Sequence, residues 1–531
     1  MERSARGIVL ALLVALLAVS PVWGEGGQDG AGAKEPVKLT MFMPNYGSGH
    51  PNGVNPSDNW VITIIEKYAN VDLEIEVPPW SDWATKCSLL LASGNLPDVI
   101  HADLYNDMLK AAEAGAFLDI KKYYDKSTVV KKLISPESFA LSKSPSGKYW
   151  SVPMANIGRE PGWGVIVRYD LLKEYNGGTY PEDVDGYLDW FRWIKKTYPD
   201  SVPIASRVGG GRIFVNSACI FAWYAGEPYY NTYRNGKVIS NILLPETREA
   251  VKVYRQMYQE GILDKEFATI PQAAYFTKLR EKRVATETNS IDQLLPIVDA
   301  YMKTGRHCTF AAPLKRYPAG VDAQTIYRQS SDYLPYWNER RTAIYAKTAH
   351  PNEAWKVIEA FSSDALRDAQ MWGREGKEYT VVGGERVPTD RLYLNDVNDP
   401  DSHYWTLSLG ITWGTWPTEG KYAVQKKRNP AEFEITYQSS RWLVEAGRKN
   451  GVGFGTYLPS FPEISAKGGD AWATISQILA KTISGEASME DYDAMIGEYR
   501  KTYGFMDDLR TQWIQENKAS MTAMGWKGAD W

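Results

Sequence analysis

A chain of 531 residues exceeds what one hydrophobic core organises, so two lobes are the first expectation. Hydrophobic residues at 44% and charged residues at 23% are ordinary globular usage and exclude long-range disorder. With 60 Lys and Arg against 64 Asp and Glu, a net charge of -4 leaves no broad basic face for nucleic acid, whereas 20 Trp and 33 Tyr supply rings suited to binding surfaces.

Residues 1–24 read as a secretory signal peptide: Arg3 and Arg6, an apolar run from Ile8 to Val19, then Pro21 and an exit at Val22-Trp23-Gly24. The run is shorter than the roughly 20 residues that span a bilayer. The mature chain is therefore expected to start near Glu25 as a soluble, exported protein, periplasmic or extracytoplasmic. Cys87, Cys219 and Cys308 are the only cysteines. None sits at the cleavage point, where a lipid anchor would need one, and they read as buried small hydrophobes. Residues 25–36 form a glycine-rich tether.

An alternating pattern then begins. A strand over 37–43 precedes a long loop and a helix over 60–69, with Ser57 or Asp58 as its cap. A strand over 72–77, a helix over 82–93 closed by Gly94 and a strand over 98–102 follow. This βαβαβ order opens a doubly wound parallel sheet, whose ligands bind beyond the carboxyl ends of the strands. Asn45 and Tyr46 after the first strand and Asp103 after the third are the corresponding candidates.

A second α/β unit opens at 164–172 and continues through a helix over 182–197, a strand over 202–206 and a helix over 247–261. In the last of these, Val251, Tyr254, Met257 and Tyr258 form one apolar stripe. A strand over 283–288 leads to Asn289, a helix over 292–304 and a strand over 308–314. The helix beginning at Pro351 buries Ala354, Val357, Ile358 and Phe361 and is read through to Trp372. Gly373 and Gly376 then turn the chain, and Tyr379–Val382 pairs with Glu385–Val387 across Gly383-Gly384, with solvated charges. A terminal helix starts at the capping box Ser488-Met-Glu-Asp491.

Catalytic signatures are missing. There is no GxSxG elbow, and His50, His101, His307, His350 and His403 are too scattered for a metal-binding HExxH helix. The Gly-Lys at 147–148 is followed by Tyr149, which breaks the P-loop pattern, and the Gly209–Gly211 run reads as a turn. Asp396, Asn398, Asp399 and Asp401 offer oxygens but lack the EF-hand spacing, so they read as a solvated turn. The reading is non-enzymatic, with no catalytic residue, no metal and no cofactor. An exported glycosidase or lyase stays open as the alternative, because sequence never excludes a carboxylate pair.

Several stretches in order resemble the extracellular solute-binding proteins of ABC importers, in particular the LipO-like and alginate-binding oligosaccharide group: LLLASGNLPDVI (89–100), EAGAFLDIKKYYDK (113–126), GKYWSVPM (147–154), the run from Val165 to Asp200, PETREAVKVYRQMYQEGILDKEF (245–267), TAHPNEAWKVIEAFSSD (348–364) and WGREGKEYTVVGG (372–384). The resemblance implies an α/β, two-lobe, periplasmic-binding-protein-like (Venus-flytrap) fold joined by hinge segments. Its N-terminal lobe would take 37–155 plus 335–405, and its C-terminal lobe 160–334 plus 406–531. It also implies capture of an oligosaccharide or sugar derivative by a monomer that delivers it to membrane permease subunits. A sensor reporting to a signalling partner is a further alternative. Alginate-binding relatives carry an acidic calcium loop where this chain runs DSVPIASR, which argues against calcium there.

A sugar presents hydroxyls around apolar ring faces, so rings outside helical stripes and near strand ends or lobe crossings are the ligand-binding candidates. These are Trp163 and Asn156 at the first crossing, Trp337 at the return, Trp413 and Trp416 in ITWGTWP, Trp223 at a helix end, Asn289 after its strand, and Arg168. Each has core packing or a structural ion pair as its alternative role. Arg159, Arg168, Arg207 and Arg212 are equally readable as uronate contacts or surface charges, so the sugar stays open.

Overall fold

The computed structural model describes residues 35–44, 53–79, 82–102, 104–140, 142–155, 163–290, 306–321, 336–394, 396, 398–403, 406, 422–424, 426–427, 430–450, 454–455, 458–459, 461–523 and 526. The first elements are β1 (Val37–Phe42), α1 (Trp60–Ala69), β2 (Val71–Glu76), α2 (Trp83–Ser93) and β3 (Val99–Ala102), the βαβαβ order expected. The cap of α1 is Asn59, whose side-chain oxygen accepts from the Val61 N–H at 2.9 Å. Ser57 and Asp58 are not available for that role, because Pro56–Asp58 is a separate 3-10 turn capped by Asn55. In β2 the pleat buries Val71, Leu73 and Ile75 and exposes the acids between them, so one sheet face meets Ile62 and Ile65 of α1.

α3 (Tyr105–Glu113) and β4 (Val152–Ala155) lead to β5 (Trp163–Arg168), α4 (Tyr169–Asn176), α5 (Val184–Thr197) and α6 (Cys219–Tyr224). The hairpin β6 (Asn231–Arg234) and β7 (Lys237–Ser240), then α7 (Pro245–Gln259), α8 (Gln272–Glu281), β8 (Thr286–Ser290) and β9 (Cys308–Phe310) follow. Next come β10 (Tyr336–Ile344), α9 (Pro351–Phe361), α10 (Asp364–Trp372), β11 (Tyr379–Val382) and β12 (Glu385–Pro388). The last elements are α11 (Pro430–Asn450), α12 (Pro462–Ser484), α13 (Met489–Tyr503) and α14 (Phe505–Ala523).

Two sheets organise these elements. The first has the order β2-β1-β3-β10-β4, parallel over β2-β1-β3, with β10 antiparallel to both of its neighbours. The second has the order β8-β5-β9 and is antiparallel throughout, so the parallel arrangement holds only at the start of the chain. Residues 202–206 contribute one parallel bridge, Ile204 to Leu263, rather than the expected strand. The expected helix over 351–372 is two helices. The Ser362 and Ser363 hydroxyls donate to the carbonyls of Ile358 and Ala360, and Ser363 accepts from the Leu366 N–H to open α10. The capping box at Ser488 and Asp491 is formed, but α13 is not terminal, since α14 follows it. The helix expected over 292–304 lies outside the described residues.

The buried apolar clusters divide in two. Leu39, Ile62, Leu73, Val357, Phe361 and Leu366 pack on one face of the first sheet, and Phe42, Ile100, Met108 and Trp150 pack on the other. Trp190, Phe191, Phe214, Phe221, Tyr254, Ile475 and Tyr492 form the larger core, on the second sheet. Each cluster draws on residues 37–155 with 343–366, or on 165–314 with 443–526, and none mixes the two sets. All three cysteines are buried, as small hydrophobes.

Candidate functional site

Strand register brings the expected positions to particular sheet ends. β1 and β3 run parallel with Phe42 opposite Ile100, while Ala102 at the end of β3 lies opposite Arg341 of antiparallel β10. Ala155, the last residue of β4, pairs with Tyr336, the first of β10. The carboxyl ends of β1, β3 and β4 and the start of β10 therefore share one edge of the first sheet. On the second sheet, Trp163 at the start of β5 pairs with Ser290 at the end of β8, and Gly164 pairs with Asn289. In sequence, 156–162 lie between β4 and β5, and 322–335 precede β10.

Trp163 and Trp337 thus stand at the start of the strands that open after these two segments, with Trp337 in register with Met154. Asn45, Tyr46, Asp103, Asn156, Trp413 and Trp416 lie outside the described residues. Asn289, Arg168 and Trp223 are described in full. Arg168 is buried and forms a two-pronged ion pair with Asp170, its Nε donating to Oδ1 at 2.7 Å. Trp223 is 4% exposed and stacks on Tyr187 with ring centroids 4.2 Å apart, in the middle of the larger core. Its ring is inside, not projecting from the helix end.

Around Asn289 the structure assembles polar groups that sequence reasoning did not join. Alternation along β8 sends Thr286 and Thr288 toward α6, where Thr288 Oγ1 accepts from the Ala218 N–H, and sends Glu287 and Asn289 to the opposite face. Asn289 Nδ2 donates to Glu287 Oε1 at 2.9 Å, while Glu287 Oε2 is buried without a hydrogen-bond partner. Burial pushes the Glu287 carboxyl up to about 7, with the Asn289 donor and the Arg207 charge opposing. Asn216 clamps the loop before α6 onto this strand. Its Nδ2 donates to the Thr288 carbonyl at 3.1 Å, and its carbonyl accepts from the Thr288 N–H at 2.8 Å. The clamp holds Phe214 and Asn216 at φ of 62° and 63°, a backbone region costly for residues with a Cβ. Composition gives no signal for such strain; the Gly209–Gly211 turn was its nearest legible trace.

The remaining motifs are structural. His101 bonds Thr342 Oγ1 at 2.8 Å and burial pushes it down to about 3. His403 is likewise pushed down to about 4, so both are neutral hydrogen-bonding groups. His307 bonds Thr436 Oγ1 at 3.0 Å, with Nδ1 3.2 Å from Glu432. In the acidic turn, Asp399 pairs with Arg391 and Asp401 with Arg374, so these acids are tied rather than freely solvated. The same Arg374 binds the fully buried Glu378 through Nε and Nη2, which corrects the expectation of solvated charges before the β11-β12 hairpin. Among the described residues no group of three or more metal-ligating side chains occurs, and no helix is long and apolar enough to cross a membrane.

Against this geometry, the profile of the bacterial extracellular solute-binding protein family matches residues 60–374. The chain belongs to that family. Among solute-binding relatives, the lipoprotein LipO of Bacillus subtilis (strain 168) is 23% identical over 275 residues, covering 50% of this chain and 52% of LipO. The match thus spans about half the length of LipO. A carbohydrate ABC transporter substrate-binding protein of Streptococcus pneumoniae serotype 4 is 26% identical over 407 residues, 74% of this chain and 73% of the relative. A solute-binding protein of Bifidobacterium longum infantis, described as HMO binding and associated with an ABC transporter, superposes with a TM-score of 0.68 at 15% identity, covering 90% of this chain and 99% of the other. That likeness establishes the two-lobe solute-binding fold. The family is extracellular and solute-binding by description.

Proposed function

We propose that this protein is the substrate-binding protein of an ABC importer, capturing an oligosaccharide or sugar derivative between two lobes and delivering it to a membrane permease. It acts as an exported, soluble monomer without a catalytic step, after removal of residues 1–24. One lobe comprises 37–155 plus 335–405 and the other 160–334 plus 406–531. The observation that carries this reading is that, in a chain of the solute-binding family, each sheet gathers strand ends at one edge: the ends of β1, β3 and β4 with the start of β10, and the start of β5 with the end of β8. Relatives named as carbohydrate transport proteins supply the ligand class.

The ligand contacts are assigned to Asn45, Tyr46, Asp103, Asn156, Trp163, Asn289, Trp337, Trp413 and Trp416. Arg168 and Trp223, both buried in the second lobe, are left out of this set. Stacking contributes about 1 kcal/mol per ring, so three rings fall short of the roughly 8 kcal/mol of a micromolar complex. Polar groups of both lobes supply the difference, and they act together only in the closed form, which the ligand therefore favours. A thermal-shift panel of neutral and acidic oligosaccharides tests this. At least one class raises the melting temperature in a concentration-dependent way, and a flat response to every glycan overturns the assignment.

A further inference from the structure

Two guanidinium groups flank the Gly209–Gly211 turn, and neither makes an ion pair among the described residues. Elsewhere arginines are neutralised: Arg192 by Glu260, Arg248 by Asp493 and Arg316 by Glu182 and Asp183. The half-buried Arg207 instead spends Nε and Nη2 on one neutral acceptor, Asn216 Oδ1, at 3.0 and 2.7 Å. Its Nη1 is left over. An added Cβ at Gly209 would meet that atom at 3.0 Å, so the glycine keeps it uncovered. Arg212 lies over the Trp472 ring at 4.9 Å, donates from Nη1 to the Tyr230 hydroxyl at 3.2 Å, and has a buried Nε with no partner. The Glu287 carboxyl lies beyond ion-pair distance of Arg207, and burial keeps its proton on up to about pH 7.

The position suits a ligand. The loop is clamped to Thr288, one residue before Asn289, at the end of β8 that meets the start of β5. Gly210 and Gly211, at φ of 59° and 76°, have nothing within 4 Å of an added Cβ, so the turn is bare on its outer side. Trp472 and Tyr230, 36% and 47% exposed, stand beside it as apolar surfaces for a sugar ring. Two half-buried cations held by neutral partners are matched by a planar or tetrahedral oxyanion, which accepts from the leftover Nη1 of Arg207 and Nη2 of Arg212.

Resting on the saccharide reading above, we propose that Arg207 and Arg212 form an anion subsite, so that the solute is an acidic saccharide whose carboxylate or sulfate seats between them. The test uses isothermal titration of the full-length mature protein with three ligands: a uronate oligosaccharide, its carboxyl-reduced neutral counterpart and a sulfated oligosaccharide. One acidic ligand binds at least about 10-fold more tightly than the neutral one, the scale of a charge-assisted hydrogen bond, and its affinity falls with added salt. Which of the two does so identifies the group. R212Q, on the exposed side, lowers that affinity about 10-fold at unchanged melting temperature. R207Q does the same, and R207K recovers part of the loss. If the neutral counterpart binds as tightly as both acidic ligands, or if R212Q leaves the preference intact, the anion subsite is wrong while the saccharide reading stands. If no glycan of any kind binds, the saccharide reading itself fails.

Discussion

Glu287 offers a quantitative test of how the second sheet is built. Its carboxyl lies at the centre of the β8 end, with Oε1 accepting from Asn289 and Oε2 buried without a partner. Burial moves it from an ordinary 4.5 to about 7. A carboxyl whose folded value is raised is favoured in its protonated form by folding. The wild type is therefore at full strength below about pH 4.5 and loses stability as the pH rises through about 7. The interval corresponds to roughly 3 kcal/mol, as an order of magnitude. Glu287→Gln keeps the Oε1 acceptor and the volume but removes the ionisation. The difference in urea unfolding free energy, variant minus wild type, is expected to be near zero or slightly negative at pH 4.5 and to rise by about 2 to 3 kcal/mol by pH 8.5. Referring the variant to wild type at each pH cancels the other titrating groups. A difference that stays flat from pH 4.5 to 8.5 would refute the reasoning, since it would mean that the folded protein holds Glu287 ionised throughout.

Two further outcomes probe other elements. Trp223→Ala removes a ring stacked on Tyr187 inside the larger core and is expected to cost about 3 to 5 kcal/mol of unfolding free energy; a variant of wild-type stability that had lost only ligand affinity would return Trp223 to the binding surface. Gly373→Ala forces a Cβ to within 2.4 Å of Glu378 Cβ at a φ of 73°, so the Arg374–Glu378 pair is displaced. Its melting temperature should fall well below that of Gly376→Ala, which also has a positive φ, 78°, but open space around it, and equal losses would show that the clash with Glu378 does not matter.

The sequence was most legible where local chemistry sets structure. The α9 stripe, the Ser488 capping box and the Gly383-Gly384 turn each carry their signal within a few residues, and each formed as expected. What was missed depends on distant partners. The insertion of β10 between β3 and β4 leaves no local trace, because Val, Ile and Thr patterns do not say which neighbour a strand will choose. VPIAS at 202–206 has strand propensity, but its neighbour is a single residue, Leu263. At the candidate site the aromatic count drew attention to tryptophans, and Trp223 shows how that count overreaches, since a large core consumes rings as readily as a binding surface does. The Asn216 clamp was illegible, and Arg207 and Arg212 were legible only as two of four arginines equally readable as uronate contacts or surface charges. Their meaning lies in which acceptors they lack, and that is a property of three-dimensional surroundings.

The position of β10 also orders events in time. Tyr336 follows Ala155 by about 180 residues of chain, yet it is the strand that joins β4 to β3. A nascent polypeptide that has reached Ala155 holds β2-β1-β3 with one edge open, and β4 with no neighbour to pair with. The first sheet closes only after the intervening segment, carrying β5, β8 and β9, has been synthesised. The sheet that begins first is closed last, and the unpaired edge of β3 is the surface a chaperone would have to shield in the interval.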